Sequence, residues 1–137
     1  MRIAAIVFAC LAVLGVGYAV VATTILNPRV VEELRTRPDG ERARKVMLLT
    51  LPSGKAIPVN YLRDGDTVYA GADFPWWREL RGAGGPVEVL VRGETRAGRG
   101  RAVEDDPALR ASVFERLRPS APSWTGVLVE IVLAPAD

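Results

Sequence analysis

The stretch ARKVMLLTLPSGKAIPVNYLRDGDTVYAG, residues 43–71, holds three apolar runs separated by two turn signals. Pro-Ser-Gly joins the first run, 43–51, to the second, 55–62, whose Pro58 is tolerated at a sheet edge. Arg-Asp-Gly-Asp then marks a second tight turn before the third run, 67–71. We therefore predict three consecutive antiparallel strands.

The flanking sequence continues with short apolar patterns between turn residues. It predicts a helical turn that opens at a proline, two amphipathic helices that begin at Asn-Pro and Asp-Pro, and three more strands. Six antiparallel strands close most naturally into a small barrel, because closure removes exposed edges. The fold class is thus mainly β with short helices: helices at 27–37 and 106–118, a helical turn at 75–81, and strands at 86–92, 95–103 and 126–133.

The N-terminal segment differs from the rest in composition. No residue from 3 to 26 is charged, and about 24 residues at 1.5 Å each span roughly 36 Å, enough to cross a membrane. We predict that 1–26 form a transmembrane helix anchoring one domain, 27–137; a signal peptide cleaved near 20–22 is the alternative. More basic residues follow the segment than precede it, so the domain of this single-pass protein is predicted to be cytoplasmic.

The inventory of side chains excludes several kinds of chemistry. The chain has no histidine, and its one cysteine, Cys10, lies in the hydrophobic segment. A Ser-His-Asp triad, a thiolate nucleophile in the domain, a Cys/His zinc site and a disulfide are therefore excluded. No metal site is predicted and no catalytic residue can be named, so any redox chemistry must come from a bound cofactor.

The charge pattern bears on possible ligands. A formal net charge of +2 argues against general nucleic-acid binding. Turns and helix caps explain the paired acidic residues, which disfavours a carboxylate-pair hydrolase. Four arginines close in sequence either favour a small anion or form a solvated strand face: Arg92, Arg96, Arg99 and Arg101.

Several strings, spread over residues 30–135, carry a resemblance to a known family. They are the apolar run and Ser-Gly-Lys turn at 46–55, IPVNYLRDGDTVY at 57–69, PWWREL at 75–80, and VEVLVRGE at 87–94. The chain resembles the deazaflavin (F420)-dependent nitroreductases and quinone reductases, relatives of the FMN-binding split β-barrels. The resemblance implies a six-stranded split barrel, coenzyme F420 or FMN as cofactor, hydride transfer to a quinone or nitro-type small acceptor, and a possible homodimer.

The resemblance also implies which residues bind the cofactor. The Ser-Gly-Lys turn would cradle its phosphate, unless it is an ordinary turn with an exposed lysine. Small residues at the end of the third strand would let the backbone approach the ring of the cofactor. The two tryptophans and the arginine that follow would also contact the cofactor, unless the tryptophans pack in the core and the arginine is exposed to solvent. The implied cofactor-binding residues are Ser53, Gly54, Lys55, Ala70, Gly71, Ala72, Trp76, Trp77 and Arg78.

The sequence departs from the family pattern in three places. The Ser-Gly-Lys turn is shorter than in the family and keeps one basic residue, Lys55. Asp73 follows the third strand and would repel a phosphate unless it caps the next helix. Glu79 stands where the family has asparagine. These departures support the alternative of a non-catalytic, membrane-associated binding or interaction module built on the same barrel. An unrelated small barrel, such as an oligonucleotide-binding fold, is a third hypothesis.

Overall fold

Six antiparallel strands close into a barrel in the computed structural model, which describes residues 27–121 and 125–136. The strands are β1 (Val46–Thr50), β2 (Ala56–Asp64), β3 (Thr67–Ala72), β4 (Gly85–Val91), β5 (Glu94–Val103) and β6 (Val127–Leu133). Two α-helices, α1 (Asn27–Thr36) and α2 (Pro107–Leu117), and two 3-10 helices, Arg42–Arg44 and Pro75–Leu80, complete the described chain.

The strands follow one another around the barrel in the order β1-β2-β3-β6-β5-β4, and β4 pairs with β1 to close it. Strand β2 divides its pairing between two neighbours. Its first half pairs with β1, where Leu48 lies opposite Pro58, and its second half pairs with β3, where Leu62 lies opposite Tyr69. Pro58 therefore lies where β2 has a strand partner on one side, which suits a residue without a backbone N–H.

The barrel interior is filled by alternate residues of the strands. In β4, Val87, Val89 and Val91 are buried while Glu88 is exposed, which is the period-two pattern of a strand with one face in the core. Leu80, at the end of the second 3-10 helix, is fully buried among them. The interior core consists of Met47, Leu49, Leu51, Val68, Ala70, Ala72, Leu80, Val87, Val89, Val91, Val129, Ile131 and Leu133.

Two smaller apolar clusters lie on the outside of the barrel. Leu34 of α1 packs against Leu48 of β1, and Phe114 of α2 packs against Leu128 of β6. Both faces of β1 and β6 are therefore covered in part, which explains why these two strands are apolar at consecutive positions.

The structure confirms a mainly β, six-stranded antiparallel barrel with short helices. It also confirms Asp106 as the N-cap of α2, since its carboxylate accepts the Leu109 N–H at 3.0 Å. The prediction that the first strand begins at Ala43 was wrong. Residues Arg42–Arg44 form a 3-10 helix, because burial of Ala43 against α1 decides the local backbone more strongly than the strand-like pattern does.

The predicted transmembrane helix lies in residues 1–26, outside the described residues. Within 27–121 and 125–136, no helix is long and apolar enough to cross a membrane. Anchoring, orientation and the choice between anchor and signal peptide therefore stay predictions.

The surroundings of Tyr61 lead us to expect a loss of stability at alkaline pH. Burial raises the pKa of its phenol, an effect that the charges of Arg92 and Arg63 partly offset, and the hydroxyl donates to the Ala43 carbonyl at 3.0 Å. A phenol whose pKa is higher in the folded than in the unfolded chain gives stability that is fully present below the unfolded pKa of about 10 and is lost as pH rises through the folded pKa.

We expect Tyr61→Phe to lower the free energy of unfolding by about 1 kcal/mol at pH 7 and to flatten its decline above pH ~10. Urea unfolding of both proteins between pH 7 and 11 measures this. Tyr69→Phe is the control, because burial and nearby carboxylates also raise the pKa of Tyr69, while no hydrogen bond of its hydroxyl is seen among the described residues. An equal loss in both variants at pH 7 would show that the hydrogen bond to Ala43 is not what matters.

Candidate functional site

Residues 51–55, here called the Ser53 turn, connect β1 to β2. The Gly54 N–H donates to the Leu51 carbonyl at 2.8 Å, and the Leu51 N–H donates to Lys55 at 2.9 Å. Gly54 has a φ of +90°, a left-handed conformation that favours glycine. This internal bonding leaves the Ser53 N–H and hydroxyl free to bind a group outside the turn.

That group is the carboxylate of Glu79. The Ser53 N–H donates to Oε1 at 3.0 Å and the Ser53 hydroxyl donates to Oε2 at 3.1 Å. The Lys55 N–H lies 3.4 Å from the Ser53 hydroxyl oxygen. The turn predicted to hold a phosphate thus holds an oxyanion, and the oxyanion comes from the chain itself.

The second 3-10 helix supplies Glu79 and the two tryptophans. Trp76 and Trp77 are half-buried and pack against the barrel core. The Arg81 guanidinium lies 4.7 Å from the centre of the Trp77 ring, and Arg78, which is exposed, lies 5.8 Å from it. The tryptophans therefore combine core packing with partly accessible rings, and Arg81 covers Trp77 more closely than Arg78 does.

The small residues at the end of β3 face two different environments. Ala70 and Ala72 are buried in the barrel core. Gly71 points outward, where a Cβ built on it would lie 2.3 Å from a guanidinium nitrogen of Arg118. The backbone surface expected to approach a cofactor ring is therefore covered by an arginine.

Arg118 is held in place from several sides. Its guanidinium donates to the Asp73 carboxylate at 2.8 Å and 3.3 Å and lies 4.9 Å from the centre of the Phe114 ring. Asp73 accordingly pairs with Arg118 and does not cap the 3-10 helix, whose N-cap position is Phe74. This pairing ties the end of α2 to the end of β3.

The nine predicted site residues separate into two groups. The Ser53–Glu79 hydrogen bonds bring the Ser53 turn against the helix that carries Trp76, Trp77 and Arg78. Ala70 and Ala72 point into the core, and Gly71 faces Arg118. The structure thus brings the Ser53 turn and the second 3-10 helix together, whereas the three β3 residues do not lie on an exposed surface shared with them.

Two residues that shape this region were not among the predicted site residues. The signal for Glu79 was present, as an acidic residue where the family has asparagine. Arg118 had no comparable signal, because it follows α2 and meets Asp73 only through the fold, 45 positions apart.

Three of the four arginines considered as an anion site have partners of their own, and the fourth, Arg92, is exposed. Arg96 pairs with Glu94 at 3.1 Å, and Arg101 pairs with Asp105 at 3.2 Å. Arg99 donates to the Ala83 carbonyl at 3.1 Å. Arg99 and Arg101 line a groove of about 580 Å³ on the outer face of β5 and β6, which Glu130 also lines. Arg96 and Arg101 are thus paired with acidic side chains, whereas Arg99 binds a backbone carbonyl and keeps its positive charge.

No group of three potential metal-ligating residues occurs in the part of the chain that the structure describes. No buried side-chain polar atom there lacks a hydrogen-bond partner. The described residues therefore offer no unexplained buried polar group that would point to a metal or to a catalytic acid or base.

Comparison with known proteins bears on the fold. Neither a family model nor a curated protein matches this sequence. Among solved structures, a pyridoxamine 5′-phosphate oxidase-like protein from Listeria innocua aligns with a TM-score of 0.56 and 20% identity over 80% of this chain and 94% of its own. The two chains share a fold.

Two further solved structures align less closely. An FAD-binding protein from Mesorhizobium loti has a TM-score of 0.49 and 20% identity, over 69% of this chain and 82% of its own. An F420 reductase has a TM-score of 0.44 and 16% identity, over 76% of this chain and 93% of its own.

Proposed function

We propose that this protein binds FMN or coenzyme F420 and is an oxidoreductase-like protein that passes hydride from the reduced cofactor to a quinone or nitro-type small acceptor. The observation that carries the proposal is the Ser53 turn, whose N–H and hydroxyl already hold the two oxygens of a carboxylate. The same pair of donors suits two oxygens of a phosphate monoester or diester. The shared barrel fold and the sequence resemblance support the proposal.

The donor set of the turn fits the phosphate end of such a cofactor. The Ser53 N–H and hydroxyl would hold two oxygens, and the Lys55 ammonium, exposed and without an ion pair among the described residues, would supply the positive charge. Trp76 and Trp77 offer flat apolar surface beside the turn. When bound, the flavin or deazaflavin supplies hydride transfer, so the protein has only to bind and orient it.

The ring end of the cofactor fits less well. Contact with the backbone at Gly71 requires Arg118 to leave Asp73 and the Phe114 ring. This observation favours a second candidate function, a non-catalytic, membrane-associated barrel that binds or interacts without transferring hydride.

The acceptor and the partners belong to the same proposal. A helix retained at 1–26 would hold the domain at a membrane, where a lipid-soluble quinone is available. A homodimer is proposed by analogy with flavin-binding split barrels, and no nucleic-acid partner is proposed.

Titration of the full-length protein with FMN and with F420, followed by quenching of tryptophan fluorescence, tests cofactor binding. We expect saturable quenching by one of them, and we expect Lys55→Ala to weaken its binding by roughly tenfold, because the variant loses a charge-assisted contact. Lys45→Ala is the matched control, since Lys45 is also an exposed lysine but lies outside the turn. Absence of quenching by both cofactors in folded protein would contradict cofactor binding and favour the non-catalytic barrel.

A further inference from the structure

The Ser53 turn and Glu79 form an anion site that is already filled. Both donors of Ser53 point at the same carboxylate, with N···O and O···O distances of 3.0 and 3.1 Å. An N–H and an O–H each supply one hydrogen, so the two bonds to Glu79 use both donors. A ligand phosphate cannot take up these donors while Glu79 keeps them.

Charge makes the two anions exclude each other. A phosphate bound at Ser53 would place its negative oxygens within a few ångströms of the Glu79 carboxylate, and like charges at such distances repel even near a protein surface. No arginine or lysine forms an ion pair with Glu79 among the described residues, and Lys55 is likewise unpaired there. Lys55 brings one positive charge to the turn, which is too little to neutralise both the Glu79 carboxylate and an added phosphate.

Little besides Ser53 holds the carboxylate. Ser53 and Glu79 are both exposed, and the two hydrogen bonds to Ser53 are the only ones that the Glu79 carboxylate makes among the described residues. An exposed side chain with many rotamers can leave such a contact for water without unfolding its helix. Displacement of Glu79 is thus a local event.

We propose that Glu79 determines which ligands the Ser53 turn accepts: its carboxylate competes with ligand phosphate for the Ser53 donors, and a phosphate-bearing ligand binds only by displacing it. This inference rests on the proposed cofactor binding for its choice of ligand but not for the competition itself. Removal of the carboxylate should favour ligands with a phosphate and leave a phosphate-free analogue unaffected.

FMN and riboflavin are the matched probes, because they share the ring and differ in the phosphate. We expect Glu79→Gln and Glu79→Ala to bind FMN roughly tenfold more tightly than the wild-type protein, and riboflavin with less than about a twofold change. Glu115→Gln is the control for loss of one negative charge, since Glu115 is exposed on α2. Adding Ser53→Ala to Glu79→Ala should remove part of the gain, because the hydroxyl donor is lost.

Inorganic phosphate tests the competition without any flavin. We expect phosphate, at ionic strength held constant with chloride, to raise the Tm of Glu79→Gln more than that of the wild-type protein or of Glu115→Gln. A gain for phosphate with no binding of FMN or F420 in any variant would support the competition and overturn the proposed cofactor. FMN binding that is equal in the wild-type and Glu79 variants would support the cofactor and overturn the competition. No response to FMN, F420 or phosphate in any variant would overturn both.

Discussion

Replacing Gly84 by alanine is expected to lower the free energy of unfolding by roughly 2 to 5 kcal/mol. Gly84 has a φ of +76°, and a Cβ built on it would lie 2.1 Å from the carbonyl oxygen of Gly100 in β5. The left-handed backbone alone disfavours alanine by roughly 1–2 kcal/mol. The clash adds to this, because the atom in the way is backbone in a paired strand and cannot move aside by rotating a side chain.

Gly82→Ala is the matched control for Gly84→Ala. Gly82 lies two positions earlier in the same loop and has a φ of +64°, but a Cβ there would meet nothing within 4 Å. We expect it to lose only about 1 kcal/mol. Urea unfolding of the three full-length proteins gives both differences. Equal losses in the two variants would show that the backbone conformation, and not contact with β5, explains the need for glycine at 84.

The barrel could be predicted from sequence because its signals are local. The glycine-containing turns after 50, 64 and 91 each join neighbouring antiparallel strands, and the period-two pattern of β4 needs no knowledge of its partners. The start of β1 could not be predicted in the same way. Ala43 is apolar and precedes a strand, but its burial under α1 is a tertiary contact, and that contact selects the 3-10 helix.

The site was predictable only where one segment forms it. The bonds inside the Ser53 turn join residues at most four positions apart, so the string Pro-Ser-Gly was enough to predict a turn. Its role as a phosphate cradle was implied only by the family resemblance. What fills the turn comes from 26 positions away, and what covers Gly71 comes from beyond α2. Both depend on how the helices pack on the barrel, which no short string specifies.

Leu80→Ala is expected to lower the free energy of unfolding by roughly 2 to 5 kcal/mol. Leu80 is fully buried in the barrel core, and its Cδ1 lies 3.1 Å from the position where Gly100 would carry a Cβ. Because Gly100 has no side chain, Leu80 can occupy the space beside it. Truncation leaves a cavity in the barrel interior, and the hydrogen-bonded strands around it cannot easily move inward to fill it.

Leu80→Met is the matched control, because it nearly conserves volume and should lose less than about 1.5 kcal/mol. The comparison also bears on the site, since Leu80 directly follows Glu79 and is the buried residue of the 3-10 helix. If Leu80 fixes this helix on the barrel, Leu80→Ala should weaken the hold of Glu79 on Ser53 and raise phosphate affinity in the direction of the Glu79 variants. If Leu80→Ala loses stability but keeps the phosphate affinity of the wild-type protein, the hydrogen bonds between Ser53 and Glu79 do not depend on the packing of Leu80 in the core.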